Sequence, residues 1–267
     1  MTENSTSTAL AVTKPTELKT KKLILLRHGE SLSNQQKKFT GWSDVPLSAK
    51  GEREAVQAAE MLVKGGYQFD VCFTSVLQRA IVTAQIVLAV MEQANHPVYQ
   101  HWRLNERHYG ALEDLGRLGA VTKFGVWPVL GCQVQFDAAP PSLNKNDVRF
   151  PGNNPNYADI DKNILPMGES MEQTVARIEP YWKNILQPSL KNNQCVLVVA
   201  HRNSLRALMM LVDGLTQGQV MKSRLATGRP LVYELDENLK PLRHYYADKK
   251  ELIDTVYSRV LVKPATT

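Results

Sequence analysis

The chain has 267 residues, 43% of them hydrophobic and 22% charged, which is enough apolar material for a full core and excludes a disordered polymer. A formal net charge of +6 suits an anionic partner, but no run of Lys and Arg interleaved with aromatics marks a nucleic-acid surface. Three separated cysteines, Cys72, Cys132 and Cys195, without C-x-x-C spacing and without any stretch near the ~18 apolar residues of a membrane span, predict a cytoplasmic protein with no membrane contact.

Residues 1–20 are rich in Thr, Ser, Lys and Glu and lack hydrophobic periodicity, so they read as a disordered N-terminal arm. Ala9-Leu10-Ala11-Val12 is shorter than the ~7–15 apolar residues of a signal-peptide core. Leu23-Ile24-Leu25-Leu26 is a continuous apolar run, the pattern of a strand buried on both faces of a parallel sheet. It ends in Arg27-His28-Gly29-Glu30, which places an imidazole and a guanidinium at the carboxyl end of the strand. Open α/β sheets bind ligands there, and the pair suits phosphate chemistry, with imidazole as nucleophile and guanidinium as oxygen clamp. An isolated Arg-His pair would more simply be a surface turn, so the rest of the chain has to decide.

A loop is predicted from Ser33 to Leu47, then a helix capped by Ser48 and running to about Met61, stopped by Gly65-Gly66. Val71-Cys72-Phe73 reads as a second buried strand, followed by a helix through about Gln93 and an extended run near Val98–Leu104. This rhythm predicts an α/β fold, three layers (α/β/α) around a mostly parallel sheet with right-handed crossovers. Residues 105–168 break the rhythm with Pro140-Pro141, Asn153-Asn154-Pro155-Asn156 and several glycines around one short helix near Leu115–Phe124. They read as a loop-rich insertion over the active site, where substrate contacts concentrate.

Glu169-Ser170 should open a long helix to about Leu190, interrupted or ended near Pro188, with a kink or turn at Pro180. Cys195-Val196-Leu197-Val198-Val199-Ala200 is the clearest buried strand, ending at His201, with a helix over Ser204–Val212 and a last strand at Leu231–Leu235. The expected division is a catalytic domain over 21–248 and a C-terminal tail over 249–267. Two very apolar strands thus end in histidine, at His28 and His201, and Arg79 opens a helix behind a third strand. Each alone has an ordinary structural explanation; together they could build one phosphate pocket.

Leu26-Arg27-His28-Gly29-Glu30-Ser31, Phe39-Thr40-Gly41-Trp42, Phe73-Thr74-Ser75-Val76-Leu77-Gln78-Arg79-Ala80 and Trp102-Arg103-Leu104-Asn105-Glu106-Arg107-His108-Tyr109-Gly110 resemble the cofactor-dependent phosphoglycerate mutases of the histidine phosphatase superfamily. The resemblance continues through Glu169-Ser170, His201, Asn203-Ser204-Leu205-Arg206 and Thr227-Gly228, and covers roughly residues 21–246. It implies interconversion of 3- and 2-phosphoglycerate in glycolysis and gluconeogenesis, with 2,3-bisphosphoglycerate as phosphoryl donor and no metal. It further implies His28 as nucleophile, Glu106 as general acid/base, and Arg27, Asn34, Arg79 and His201 around the phosphoryl group. Ser31, Thr40, Gly41, Arg107, Tyr109, Arg117, Arg202 and Asn203 would line the substrate site. His101 and His108 read as hydrogen-bonded structural residues.

The chain also departs from that family. Where the family carries an adjacent arginine pair it has Gln133 and Val134, and the glycine after the second histidine is Arg202. Arg117 replaces a lysine, Asn154-Pro155-Asn156 stands where arginines are usual, and Met167-Gly168 replaces Arg-Thr. The phosphoryl-transfer residues are thus intact and the substrate clamp altered. A histidine-type phosphatase on small phosphorylated metabolites, and a weakly catalytic paralogue with a binding role, are therefore the competing readings. The partner implied in every case is a small anionic phosphorylated molecule; the oligomeric state is not legible, and a homo-oligomer is compatible with the sequence.

Overall fold

The computed structural model describes residues 20–248, so the expectations for an N-terminal arm and a C-terminal tail fall outside the described residues. Six strands, β1 (Lys21–Arg27), β2 (Val71–Thr74), β3 (Val98–Gln100), β4 (Cys195–Ala200), β5 (Leu231–Leu235) and β6 (Pro241–Tyr246), form one sheet in the order β3-β2-β4-β1-β5-β6. β3, β2, β4 and β1 are mutually parallel; β5 and β6 add antiparallel pairs at one side. The helices are α1 (Leu32–Gln35), α2 (Ala49–Lys64), α3 (Gln78–Val90), α4 (Arg117–Phe124), α5 (Val126–Val134), α6 (Met171–Tyr181), α7 (Gln187–Asn192), α8 (Arg202–Asp213) and α9 (Gln217–Lys222).

Alternation along the central strands explains why they are apolar throughout. Ile24, Leu26, Leu197 and Val199 pack with α2 and α3 on one face. Leu23, Leu25, Val196 and Val198 pack on the other with α6, α8 and α9. Period two sends neighbours to opposite faces, and both faces are covered, so no position tolerates a polar side chain. The result is the three-layer architecture expected from the sequence.

The differences have local causes. Val98–Leu104 is extended only over β3; Trp102–Leu104 turns as a 3-10 helix. α1 occupies one turn of the predicted loop because Ser31 and Asn34 cap each other reciprocally. α5 was not expected, since residues 105–168 read as loops around one short helix near Leu115–Phe124. Pro128, at the third helical position, lies in the first turn, where no intrahelical N–H is required. Leu231–Leu235 is not the last strand: β6 pairs with β5 as an edge, proline-led and half-exposed, and so lacks an apolar run. The expected kink at Pro180 is taken up by a π-helical turn, Trp182–Leu186, between α6 and α7, and the expected break at Pro188 is absent because that proline sits in the first turn of α7. The helix predicted from Ser204 begins two residues earlier, at Arg202.

Candidate active site

Strand register brings the two histidines together. Arg27 pairs with Ala200 across the parallel β1–β4 ladder, and the His28 N–H donates to the Ala200 carbonyl at 3.0 Å. His28 and His201 therefore leave adjacent strands at the same height, with ring centroids 4.9 Å apart. Gly29 follows at once because the chain passes so close to Gly51 that any Cβ would overlap its carbonyl.

The hydrogen bonds set the chemistry of the rings. His28 Nδ1 lies 2.6 Å from the Gly29 carbonyl, which can only accept, so the neutral ring carries its proton there and leaves Nε2 with a lone pair. Burial, with Arg79 and Arg27 nearby, holds His28 well below the usual histidine range. The ring is thus a neutral imidazole at physiological pH, the form that can attack phosphorus. His201 is fully buried and likewise held neutral by burial and Arg79. Its Nε2 lies 2.7 Å from Ser75 Oγ, while Nδ1 has no partner among the described residues. Ser75 Oγ also accepts from the Leu77 N–H at 3.2 Å, which holds the hydroxyl against the His201 ring.

The guanidiniums are placed by backbone carbonyls. Arg79, in the first turn of α3, donates to the carbonyls of Ser43 and Gly41, both at 2.8 Å, and burial lowers it to about 10. It remains a cation at neutral pH. Arg27 donates from Nη1 to the Leu225 carbonyl at 3.0 Å, and its buried Nε has no partner among the described residues. Glu106 Oε1 accepts from the backbone N–H groups of Arg107 (2.8 Å) and Asn203 (3.0 Å), which leaves its second oxygen without a hydrogen-bond partner among the described residues. Trp42 Nε1 donates to the Glu106 carbonyl at 2.6 Å and fixes the segment from the other side.

These groups line one cavity of about 620 Å³ at the carboxyl ends of β1 and β4. Its wall carries eight cationic side chains, Arg27, Lys37, Lys38, Arg79, Arg107, Arg117, Arg202 and Arg206, against one carboxylate, Glu106. Asn34, Thr40, Gly41, Tyr109 and Asn203 complete the predicted set at the wall, with Gln133 and Val134 among the uncharged lining. Two expected residues are not brought there. Ser31 is buried and spends its hydroxyl capping α1 at Asn34, and His201 lies behind the wall.

Other features were missed or left unassigned. Lys37, Lys38 and Arg206 join the wall, and their only signal was charge in a loop or helix near the motif. Arg177 is buried in an ion pair with Glu169 (2.6 Å) and donates to the carbonyls of Asn105 and Glu106, supporting the Glu106 segment from α6. His108 and His101 accept from the Gly110 and Arg103 N–H groups, the structural roles expected of them. Arg202 occupies the first turn of α8 in right-handed helical backbone, so a side chain at this position meets no conformational penalty. Among the described residues, no group of three or more His, Cys, Asp or Glu is placed to hold a metal ion. No described helix is long and apolar enough to cross a membrane. A second cavity, of about 520 Å³, opens beside Lys22, Tyr67, Glu234 and Arg243 at the other end of β1. Its polar groups satisfy one another, with Arg243 on Glu234 at 2.7 Å and Tyr245 on Glu234 at 2.8 Å.

Residues 23–248 match the family model of the histidine phosphatase superfamily (branch 1). A protein of Nitrosomonas europaea named 2,3-bisphosphoglycerate-dependent phosphoglycerate mutase 1 is 47% identical over 225 residues, covering 84% of this chain and 96% of that protein. A 2,3-bisphosphoglycerate-dependent phosphoglycerate mutase of Hamiltonella defensa is 47% identical over 233 residues, covering 87% and 94%. Among solved structures, the alpha-ribazole phosphatase of Shigella flexneri superposes with a TM-score of 0.64 at 21% identity, covering 82% of this chain and 93% of that one. A mycobacterial glucosyl-3-phosphoglycerate phosphatase gives 0.62 at 24% identity, covering 80% and 92%. At that identity the structural likeness speaks for the fold alone. Sequence motifs, sheet order and the family match over most of the length agree: this chain belongs to branch 1 of the histidine phosphatase superfamily.

Proposed function

We propose that the chain is a 2,3-bisphosphoglycerate-dependent phosphoglycerate mutase, interconverting 3- and 2-phosphoglycerate in the cytoplasm through a phosphorylated His28. The observation that carries this reading is the meeting in one cationic cavity of a neutral His28, the guanidiniums of Arg27 and Arg79, and the carboxyl of Glu106. A phosphatase and a mutase alike need the nucleophile, the clamp and a proton carrier at the oxygen that loses the phosphoryl group, so the cavity supports phosphoryl transfer through histidine and the relatives support the mutase reading. The two 47% identical relatives, matched over nearly their full length, bear the mutase name.

The residues fit a bisphosphorylated ligand. Eight cations face one carboxylate, and the buried donors Arg27 Nε, Arg107 Nε and Arg107 Nη1 have no partner among the described residues. Such donors are costly to bury unless an anion completes them. When bound, 2,3-bisphosphoglycerate supplies the phosphoryl group that primes the histidine. His28 Nε2 would take that group, the N–P bond forming as the P–O bond breaks and Glu106 protonating the leaving oxygen, with the ring held by the Gly29 carbonyl. Arg27, Arg79 and Asn34 surround the phosphoryl oxygens and offset their spreading charge, while His201, behind the wall, packs against the His28 ring. Glu106 takes or gives the hydroxyl proton. Thr40, Gly41, Arg107, Tyr109, Arg117, Arg202 and Asn203 orient the glycerate, and Ser31 acts only through Asn34.

An enolase-coupled assay on the purified full chain tests the reading: turnover of 3-phosphoglycerate should depend on added 2,3-bisphosphoglycerate. Phosphate release without mutase turnover would reject it in favour of a phosphatase, the outcome that the neutral Gln133 and Val134 would favour. Arg202 should compensate in part for that neutral stretch. A charge-assisted hydrogen bond is worth about 1.5–3 kcal/mol when buried, and less at an exposed site. Arg202→Ala is therefore expected to raise KM for 3-phosphoglycerate about 5–10-fold in the same assay. A lower KM would show that the side chain obstructs the cavity, and an unchanged one that it contributes nothing to binding.

A further inference from the structure

Glu113 lies outside the cavity wall and has no part in the chemistry just described, yet it is a carboxyl only 1% exposed. Its Oε1 accepts two backbone N–H groups from segments far apart in sequence, Trp42 at 2.9 Å and Tyr109 at 3.0 Å. The first belongs to the turn whose Gly41 and Ser43 carbonyls hold the Arg79 guanidinium. The second continues the segment in which Glu106 is held. Gly41 has φ +54, and a Cβ there would collide with Glu113 Oε1, so the turn is built around this oxygen.

From these contacts we infer that Glu113 is a positioning residue whose Oε1 ties the Gly41–Ser43 turn to the Glu106–Tyr109 segment and so sets Arg79 and Glu106 at their working separation. The inference rests on the roles proposed above for Arg79 and Glu106. The contact with His108, 3.4 Å from Oε1, is not an ion pair: burial with Arg177 and Arg149 nearby lowers that imidazole to about 3, and its Nδ1 already accepts the Gly110 N–H. Burial likewise raises Glu113 to about 8, against the two backbone donors, so at neutral pH it is chiefly an uncharged acid. What it supplies to the two loops is an acceptor oxygen rather than a charge. Glutamine keeps that oxygen, and leucine fills similar space without it.

Misplacing a reacting group by about 1 Å can cost ~10²-fold in rate. Glu113→Leu should therefore lower kcat about 10–100-fold per active site, the sites being counted by phosphate incorporated at His28. Glu113→Gln should stay within about 3-fold of the parent. Gly41→Ala, which retains Glu113 but pushes its carboxyl aside, should lose a similar amount and serves if the leucine variant does not fold. A leucine variant with parental turnover per labelled site and only a lowered Tm would overturn the inference. So would a glutamine variant as impaired as leucine, or parental turnover in Gly41→Ala. The parent's product decides the function independently: if it only hydrolyses phosphate, the same variant-to-parent ratios are read on that hydrolysis.

Discussion

Replacing Glu106 with glutamine should lower phosphoglycerate turnover about 10²–10⁴-fold, the span typical of losing a general acid/base. The fold should not suffer. Glu106 uses one oxygen to accept the Arg107 and Asn203 N–H groups, and an amide oxygen can accept both. What glutamine cannot do is exchange a proton from the oxygen facing the cavity. The expected signature is a collapsed kcat with an almost unchanged Tm and a KM within a few-fold of the parent. His28→Ala, run beside it, should incorporate no phosphate from 2,3-bisphosphoglycerate, whereas Glu106→Gln should still label, slowly. A glutamine variant retaining more than about a fifth of parental kcat would remove Glu106 from the proton path. Labelling of the alanine variant would mean that the nucleophile lies elsewhere, with His201 the nearest imidazole at 4.9 Å between ring centroids.

How much of this was legible beforehand follows from the kind of interaction involved. The strand ends were readable because burial on both faces writes an apolar run, and a histidine closing such a run stands out. β1 and β4 are the outcome, and their shared register then fixes the His28–His201 contact. The Glu106 segment was readable only through its resemblance to a family, since one carboxyl in a loop carries no periodic signal. Glu113, Arg177 and Ser75 act by hydrogen bonds to backbone or side chains distant in sequence, and no local pattern announces such partners. α5 was hidden by having apolar residues on both its faces: Val129 and Cys132 are buried, whereas Trp127 and Val134 are exposed. Arg202 was ambiguous for a different reason. Its tolerance depended on the backbone at one residue, and starting α8 there resolves the matter without strain.

Acid should destabilise the protein well above the pH at which carboxylates protonate. In the unfolded chain each imidazole titrates near 6.5. In the fold, burial and neighbouring guanidiniums hold His28 and His201 well below that value and lower His108 to about 3. Between the folded and unfolded values, unfolding takes up a proton at each of these three sites, so stability present above pH 6.5 is lost as pH falls through it. Glu113 works in the opposite sense. Raised from 4.5 to about 8, it holds an extra proton in the folded state across the same window and gains stability from acid. The net uptake approaches two protons once below the imidazole range, on the order of 3 kcal/mol between pH 6.5 and 5. His101 and His244 are lowered as well but are less buried, and add a smaller amount in the same direction. Against a total stability of about 5–15 kcal/mol for a typical protein, this loss is large. Urea midpoints measured at pH 7, 6 and 5 should fall steeply below pH 6.5 at constant m-value. Glu113→Gln should steepen the fall by about one proton, because it removes the opposing group while keeping the hydrogen bonds. A midpoint flat from pH 7 to 5 would mean that the buried histidines are protonated in the folded protein, and His28 would then lack the lone pair its proposed chemistry requires.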